Sequence, residues 1–408
     1  KKYINMKHIN LLILLLALIG CKQQSEHKEN NNPTNIVEEA NPVKEHLAKI
    51  EADALKEPYV GIFTEKRDSK DLFKISSTGV STLPIQKAAD SFLNSLSPSQ
   101  LKRSTFDIDN EEWRKWCNVD NGIYDRQGVN IKELTSIQKT NAFKLIQQSL
   151  SAKGLQLSKD IMKTDQTLKE LNNGSSDYDE ELYFFTIMGK PSITEPWGWQ
   201  LDGHHLVINY FILGDQVVMS PVFMGGEPII TTSGKYKGNT LFQDEQNFGL
   251  ALMQSLTQEQ QKETTISNVK TGNNNVTETI KDNITLNYEG IQVSKFSNEQ
   301  RQKLLDLIYL YISNVREGHD RVKMEEVIGH IDNTWFSWVG ETNEDAVFYY
   351  RIHSPVVLIE FDHQRMVGVP NAADRKPSRN HIHTVVRTPN GNDYGKDLLK
   401  QHKEKHHH

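Results

Sequence analysis

Four short patterns along the chain predict the starts of helices. Leucine or phenylalanine precedes Ser97, Thr135, Thr257 and Ser297, and a glutamine follows each of these residues three positions later. A Ser or Thr side chain at this place accepts a hydrogen bond from the first free amides of a helix, and the glutamine completes a capping box. Each pattern therefore predicts that a helix begins directly after the Ser or Thr.

Runs of aromatic and β-branched residues predict the strands. Two such runs, 184–188 and 335–339, end at a glycine, and each is followed by a longer predicted strand, at 199–212 and 350–361. A last strand is predicted at 381–388. Helices and antiparallel strands are segregated along the chain, which indicates the α+β class.

Comparison of the chain with itself indicates an internal repeat. An offset of 162 residues aligns 128–139 with 290–301, and both stretches follow the pattern Gly-[Val/Ile]-x-[Ile/Val]-x-x-[Leu/Phe]-[Ser/Thr]-x-x-Gln-[Lys/Arg]. An offset of 151 residues aligns 184–189 with 335–340. Two independent matches in the same order predict a duplicated unit.

The predicted domain organisation follows from this repeat. The first repeat unit spans 85–230 and the second spans 250–404, and the two are expected to pack as one globular domain in a pseudo-two-fold arrangement. Each half is expected to contain two capped helices followed by antiparallel strands.

The N-terminal part of the chain has the pattern of an export signal. A basic start and an apolar stretch in residues 1–20 are too short to span a bilayer and predict a signal peptide. The ending Leu-Ile-Gly-Cys resembles the lipobox of bacterial lipoproteins, so Cys21 is the expected lipidation site. Residues 21–45 are polar and predict a flexible tether. We expect a lipoprotein held by its lipid anchor at the bacterial cell envelope, at the outer membrane, facing the periplasm or the cell surface.

Charge and missing motifs narrow the classes of function. The 408 residues contain 47 Lys and Arg against 53 Asp and Glu, a net charge of −6, which argues against a nucleic-acid partner. The chain lacks the Gly-x-Ser-x-Gly, phosphate-binding Gly-x-x-x-x-Gly-Lys-[Ser/Thr], His-Glu-x-x-His and Cys-x-x-Cys motifs. These absences disfavour serine hydrolases, nucleotide-binding proteins, zincin proteases and thioredoxin-like proteins.

Histidines provide the candidate metal ligands. His381 and His383 are two residues apart on a predicted strand, so their side chains share one face about 6.5–7 Å apart. We predict that His353 and one of the pair His204 and His205, with His205 preferred, join them around one divalent ion. Imidazole nitrogens with an open position for water suit Zn²⁺ best. Histidines with purely structural hydrogen bonds are the competing interpretation.

Other polar residues are predicted to belong to the same candidate site. Glu360 and Asp202 are the predicted catalytic carboxylates, either as a base or as groups that orient a ligand. Arg351 and Arg387 are expected at the rim, where they bind an anionic group of a substrate. These assignments describe a metal-dependent extracytoplasmic enzyme, most consistent with a hydrolase.

A second hypothesis of a different class uses the aromatic residues. Trp199 and the aromatic residues around it are expected mostly in the core, but a minority could line a cleft for ring stacking. The protein would then be a non-catalytic envelope lipoprotein that binds a carbohydrate or another small ring-bearing ligand.

Several long motifs resemble one known family. They are Trp-Gly-Trp-Gln-Leu-Asp-Gly-His-His-Leu at 197–206, Tyr-Arg-Ile-His-Ser-Pro at 350–355, Ile-Glu-Phe-Asp at 359–362, and Asn-His-Ile-His-Thr-Val-Val-Arg at 380–387 with Gly-Asn-Asp-Tyr-Gly-x-Asp-Leu from 391. Together they resemble the bacterial secreted family catalogued as domain of unknown function 3500, over about residues 85–404. The resemblance implies family membership without an assigned activity, and it marks the polar residues inside these motifs as candidates.

Overall fold

The computed structural model describes residues 41–66, 72–372 and 375–406. The predicted signal peptide, Cys21 and most of the predicted tether lie outside these residues. The first described helix, α1 (Pro42–Ala54), begins within the last four residues of that tether, and the side chain of Asn41 caps it.

A large mixed sheet dominates the fold, which is α+β as predicted. Its strands run in the order β10-β11-β12-β13-β14-β7-β6-β5-β4-β2, while β3 also pairs with β4 and β8 also pairs with β11. The pairings β2–β4 and β8–β11 are parallel, and the other pairings in this sheet are antiparallel. Its strands are β2 (Thr105–Phe106), β3 (Val129–Asn130), β4 (Tyr183–Met188), β5 (Trp197–Gly203), β6 (Leu206–Leu213), β7 (Gln216–Gly226), β8 (Thr265–Ser267), β10 (Ile291–Gln292), β11 (Trp335–Gly340), β12 (Phe348–His353), β13 (Leu358–Arg365) and β14 (Pro377–Arg387).

A separate two-stranded parallel sheet pairs β1 (Gly61–Phe63) with β9 (Asn283–Thr285). The remaining helices are α2 (Leu83–Ser95), α3 (Pro98–Ser104), α4 (Ser136–Ser149), α5 (Ala152–Leu171), α6 (Gln243–Ser255), α7 (Gln258–Thr264), α8 (Asn298–Ile312), α9 (His319–Gly329) and α10 (Lys396–His406).

The two faces of the large sheet pack against different layers. Side chains such as Ile208 and Ile382 join helices α2, α4, α5, α6, α8 and α9 in the larger apolar core. Their neighbours Val207 and Val385 point to the opposite face, where they pack with Trp113 and with residues of the C-terminal segment. This alternation follows from the two-residue period of a strand.

The same order of elements occurs twice along the chain. Helices α2 and α3, strands β2 and β3, helices α4 and α5, and strands β4 to β7 are followed by α6, α7, β8, β10, α8, α9 and β11 to β14. Among the α-helices and strands of the described residues, only β9 interrupts the second series. Strands β7 and β14 join the two series in the middle of the sheet.

The four predicted helix starts are confirmed. Ser97, Thr135, Thr257 and Ser297 each accept a hydrogen bond from the backbone N–H of the glutamine three residues later, and each glutamine side chain closes the capping box. Helices α1, α2, α5, α6 and α9 were not predicted, because none of them begins with this pattern. Each of the two series therefore contains four helices, where the sequence predicted two.

The prediction of single long strands at 199–212 and 350–361 was wrong. Each stretch is a hairpin, with turns between β5 and β6 and between β12 and β13. His205 turns the first hairpin with a left-handed backbone, φ +60°. Ser354 turns the second, where its hydroxyl accepts hydrogen bonds from the N–H groups of Val356 and Val357. His353 and Glu360 therefore lie on neighbouring strands rather than on one.

Candidate metal centre

Three histidine rings converge on the sheet face opposite the main helical layer. The Nε2 atoms of His381 and His383 are 3.0 Å apart, and the Nε2 atoms of His381 and His205 are 3.3 Å apart. The three residues are only 2, 3 and 7 % exposed for His205, His381 and His383. Their ligand atoms are spaced closely enough to hold one metal ion.

Strand register explains why these rings meet. His381 and His383 share a face of β14, as the two-residue period requires. Gly225 on β7 lies opposite His383, and its N–H donates to the carbonyl of His205 at 2.8 Å. A Cβ atom at Gly225 would lie 3.1 Å from Cδ2 of His383 and 2.7 Å from the carbonyl oxygen of Ile382. The missing side chain at Gly225 therefore leaves room for the rings.

Hydrogen bonds at Nδ1 orient two of the rings. Nδ1 of His381 lies 2.6 Å from the carbonyl oxygen of Arg365, and Nδ1 of His383 lies 2.6 Å from Oε1 of Glu278. Glu227 adds a carboxylate 3.3 Å from Nδ1 of His381. A carbonyl oxygen only accepts, and an ionised carboxylate only accepts, so both Nδ1 atoms carry the proton. In the neutral rings, the Nε2 atoms then present lone pairs to each other.

Facing lone pairs at this distance fit a bound cation. Two lone pairs 3.0 Å apart with no proton between them repel, whereas a metal ion between them is attracted to both. Tetrahedral Zn²⁺ with Zn–N bonds of about 2.0–2.1 Å places its nitrogens about 3.3–3.4 Å apart. Metal-binding histidines also typically donate their second N–H to a carboxylate or a carbonyl.

The third ring, that of His205, carries two further signs of a special environment. Its Nδ1 atom is buried and has no hydrogen-bond partner among the described residues. Its left-handed backbone is uncommon for a residue other than glycine and costs on the order of 1–3 kcal/mol. Such strain persists where the surrounding structure holds the residue in place, as is common at functional sites.

His204 lies beside the cluster and belongs to a second polar network. Its ring stacks on that of His205, with centroids 3.8 Å apart. Its Nδ1 atom lies 2.7 Å from Oδ1 of Asp165, whose other oxygen accepts a hydrogen bond from the Tyr183 hydroxyl at 2.6 Å. Burial alone would lower the pKa of His204, but the charge of Asp165 outweighs it and raises the pKa. Asp165, His204 and His205 form a second group with metal-ligand spacing.

Burial favours the neutral imidazoles of His205 and His381. It lowers the pKa of His381 to about 4, although the charge of Glu227 opposes this effect. Burial and the neighbouring histidine rings lower the pKa of His205 well below its ordinary value. Neutral rings are the form that binds metal ions.

The loop that supplies Glu278 is fixed by carboxylates of β13. Glu360 accepts hydrogen bonds from the N–H groups of Val276 and Thr277, both at 2.9 Å, and from the Tyr349 hydroxyl at 2.6 Å. Asp362 accepts a hydrogen bond from the N–H of Asn274 at 2.7 Å.

Glu360 was predicted as a catalytic carboxylate. Both of its oxygens are instead occupied in holding this loop, and its side chain is fully buried.

Arg387 and Arg351 are also engaged in protein contacts. All five N–H groups of Arg387 are used: they donate to the carbonyls of Thr277 and Thr279 and to the carboxylates of Asp282 and Asp393. Arg351 is paired with Glu289 and is largely buried. The structure therefore places both arginines in structural ion pairs, and not at the rim of the histidine cluster.

His353 lies apart from the other three histidines. His353 pairs with Leu358 on β13, and Leu358 pairs in turn with Arg387 on β14. Arg387 is four residues further along β14 than His383. The ring of His353 lies 4.6 Å from that of Tyr288, and burial lowers its pKa to about 3, with the charge of Arg351 acting in the same direction.

Asp202 and Trp199 have structural partners as well. Asp202 lies 3.2 Å from the guanidinium of Arg126, and burial raises its pKa to about 6 against the opposing charge of Arg126. Trp199 is fully buried in the main core, where its indole N–H donates to Ser149 and its ring stacks on Tyr210.

The residues that support the cluster were not predicted from the sequence. Glu278 lies in an asparagine-rich stretch without periodicity, and Glu227 follows the end of β7 as an isolated acid. Gly225 belongs to the pair Gly225-Gly226, and this pair was the only sequence feature that marked the position. Nothing in the local sequence indicated that these positions meet His381 and His383.

The fold and the site define an α+β protein with a buried three-histidine cluster that has the spacing of a metal site. The chain belongs to the family DUF3500, which is described as a family of proteins of unknown function. The family model matches residues 78–396. No curated protein and no solved structure matches the chain. None of the helices in the described part combines the length and apolar composition needed to cross a bilayer.

Proposed function

We propose that this protein binds one divalent metal ion, with Zn²⁺ as the best fit, through the Nε2 atoms of His205, His381 and His383. The observation that carries the proposal is the geometry of the three nitrogens, 3.0 and 3.3 Å apart, with protons directed away from them at two rings. Glu278 and Glu227 act as the supporting carboxylates that orient the rings.

The number of ligands supports an enzyme of the hydrolase class. Structural zinc sites are closed by four protein ligands, whereas three protein ligands leave a position for water or substrate. A bound Zn²⁺ lowers the pKa of such a water to about 7 and polarises a carbonyl or phosphoryl oxygen. The carbohydrate-binding alternative has less support, because Trp199 is fully buried in the core.

We further propose that the chain arose by duplication with a pseudo-two-fold relation between its halves. The repeated order of elements and the four capping boxes support this. At an offset of 151 residues His205 corresponds to Val356, and the register of the matching strand pairs relates His383 to Val218. Val356 belongs to the second apolar cluster, and Val218 packs against it. Two of the three histidines thus stand where the other half has aliphatic residues, which supports a functional reason for these two, while the same register relates His381 to Gln216.

Metal analysis of the purified protein tests the metal site. The wild type should hold about one equivalent more zinc than the variant His381→Ala/His383→Ala, because two of its three ligands are removed. Both proteins keep the C-terminal histidines, so the difference in content reports the cluster alone. His353→Gln is the matched control and should retain the metal. Equal metal content in the wild type and the double variant would refute the site.

Localisation is a separate proposal that rests on the lipobox-like sequence before Cys21. We propose that the protein is anchored through a lipid on Cys21 at the outside of a bacterial cell envelope. In cells that express the full chain, Cys21→Ala should move the protein from the membrane fraction to the soluble fraction. Retention of this variant in the membrane fraction would contradict a lipid anchor.

A further inference from the structure

A second candidate site lies on the opposite face of the central strands from the histidine cluster. A cavity there, which we call the interior cavity, lies between the β7–β14 pair and helices α5, α6, α8 and α9. The space open to the centres of water-sized molecules is about 80 Å³. A single water needs roughly 10–15 Å³ by the same measure, so the cavity has room for a small organic molecule.

Most of the lining is apolar. Val222 and Met224 contribute from β7, Val386 from β14, Leu157 from α5 and Ile312 from α8. Such a surface suits the apolar body of a ligand, since ligand pockets are mostly hydrophobic with a few placed polar groups.

Three polar atoms in the lining lack partners. Oδ1 of Asn314, Nε2 of His319 and Oε1 of Glu326 are buried and have no hydrogen-bond partner among the described residues. Asn314 and His319 are each only 4 % exposed. A buried polar atom without a hydrogen bond costs roughly 1–3 kcal/mol, so all three positions favour a bound partner.

The chemistry of these atoms selects the head group. The amide oxygen of Asn314 and the carboxylate oxygen of Glu326 only accept hydrogen bonds. Burial lowers the pKa of His319 to about 4, and the charge of Arg316 acts in the same direction, so its ring is neutral at neutral pH. A ligand that donates hydrogen bonds satisfies the two acceptors, whereas a carboxylate has no hydrogen to donate to them. The cation in the described lining, Lys323, is already paired with Glu326 at 3.0 Å and does not attract an anion strongly.

An open depression adjoins the interior cavity. It shares Val217, His319, Lys323 and Glu326 with the interior cavity and is bordered by the segment that contains Phe73. The polar end of the interior cavity, with His319 and Glu326, therefore lies next to this open depression.

We propose that the interior cavity binds a small molecule with an apolar body and a hydrogen-bond-donating head group, an alcohol or an amine. The apolar body lies against β7 and β14, and the head group donates to Asn314 and Glu326. This site is independent of the proposed metal centre, which lies on the other face of the sheet.

Binding of three matched probes tests this proposal. 2-Phenylethanol and 2-phenylethylamine carry donor head groups, and 3-phenylpropanoate carries an anionic head group without a donor. Saturation-transfer NMR and calorimetry on the full chain should show millimolar or tighter binding of the first two. The anionic probe should bind at least tenfold more weakly.

Two variants locate the binding. Val222→Phe fills the cavity and should weaken binding at least tenfold, whereas Val269→Phe makes the same change at a position that is 65 % exposed and should leave binding unchanged. Asn314→Leu removes one acceptor and should weaken binding about 2- to 10-fold. Circular dichroism checks that each variant is folded.

The outcomes separate clearly. The proposal is supported if the wild type binds the two donor probes more tightly than the anionic probe. Binding of the donor probes should also be lost in Val222→Phe and weakened in Asn314→Leu. No binding of any probe to the wild type would show that the cavity holds water only and would overturn it. Equal binding to the wild type and to Val222→Phe or Asn314→Leu would overturn it as well.

Discussion

At the residue scale, the proposed metal site depends on groups that do not touch the metal. The proton on Nδ1 of His383 is held by Glu278, which leaves Nε2 free to bind. The carboxylate also makes the imidazole a stronger ligand. Burial raises the pKa of Glu278, but its interaction with His383 and the hydrogen bond from Asn275 outweigh burial and hold the pKa below its ordinary value. Glu278 therefore acts as an ionised acceptor at neutral pH.

Substitution of Glu278 tests this support. Glu278→Gln keeps the size of the side chain but removes its charge, so the ring of His383 loses its charged acceptor. We expect metal affinity to fall by about 10- to 100-fold, while the fold persists. Competition with a chromophoric chelator measures the affinity, and Glu259→Gln, at an exposed position of α7, is the control. Unchanged affinity in Glu278→Gln would show that this carboxylate does not support the site.

The meeting of His381 and His383 could be predicted from the sequence, because the two-residue period of a strand fixes which side chains share a face. The assignment of His353 and Glu360 failed for a physical reason. It assumed one continuous strand, but a turn at Ser354 places them on neighbouring strands, with His353 far along the sheet from the cluster. The contact between Glu278 and His383 could not be predicted, since only the folded loop brings Glu278 to β14.

At the element scale, the elements that depend on local sequence were predicted more successfully. The four capping boxes could be predicted because each depends on residues at most four positions apart. The boxes also contact each other in matching ways: the side chain of Gln138 donates to that of Gln100, and the side chains of Gln300 and Gln260 are paired in the same manner. The first hairpin could not be predicted, since a left-handed turn at a residue such as His205 gives no common sequence signal.

Two glycines at matching places in the halves provide an element-scale prediction. Gly128 and Gly290 have φ angles of +90° and +84°, and a Cβ atom at either would lie 2.1 Å from the carbonyl oxygen of Phe185 or Phe336. Gly128→Ala and Gly290→Ala should each lower the free energy of unfolding by about 2–4 kcal/mol.

Denaturant unfolding monitored by tryptophan fluorescence measures both losses. Gly174→Ala is the control, because Gly174 has φ +81° but nothing within 4 Å of an added Cβ. It should cost only about 1 kcal/mol. The two glycines would not have equivalent roles if one variant lost much stability while the other lost no more than Gly174→Ala. That outcome would argue against the proposed duplication.

At the scale of the whole molecule, one sheet carries both proposed sites. His383 and Thr384 are consecutive on β14, and the first faces the histidine cluster while the second lines the interior cavity. The β7–β14 pair that separates the sites also joins the two halves of the chain. The mixed α+β architecture followed from the sequence pattern, but this central position of β7 and β14 did not, because it depends on pairing between residues more than 150 positions apart.

Buried neutral histidines outside the metal site predict how the stability of the molecule depends on pH. The pKa of His319 is lowered by burial to about 4, and that of His363 is lowered well below its ordinary value, also by burial. His363 accepts a hydrogen bond from the N–H of Phe348 at 2.9 Å, which a protonated ring cannot do. In the unfolded chain, both residues have a pKa near 6.5.

The sign of the effect follows from proton binding. Between about pH 6.5 and pH 4 the unfolded chain binds protons that the folded chain does not, so stability is complete above about pH 6.5 and decreases as the pH falls through this range. His319 alone should contribute a loss of roughly 2–3 kcal/mol. Denaturant unfolding at several pH values, with chelator present throughout, measures this loss. His319→Gln cannot be protonated and should show a correspondingly shallower decrease, whereas identical pH profiles for the two proteins would mean that His319 is not held neutral by the fold.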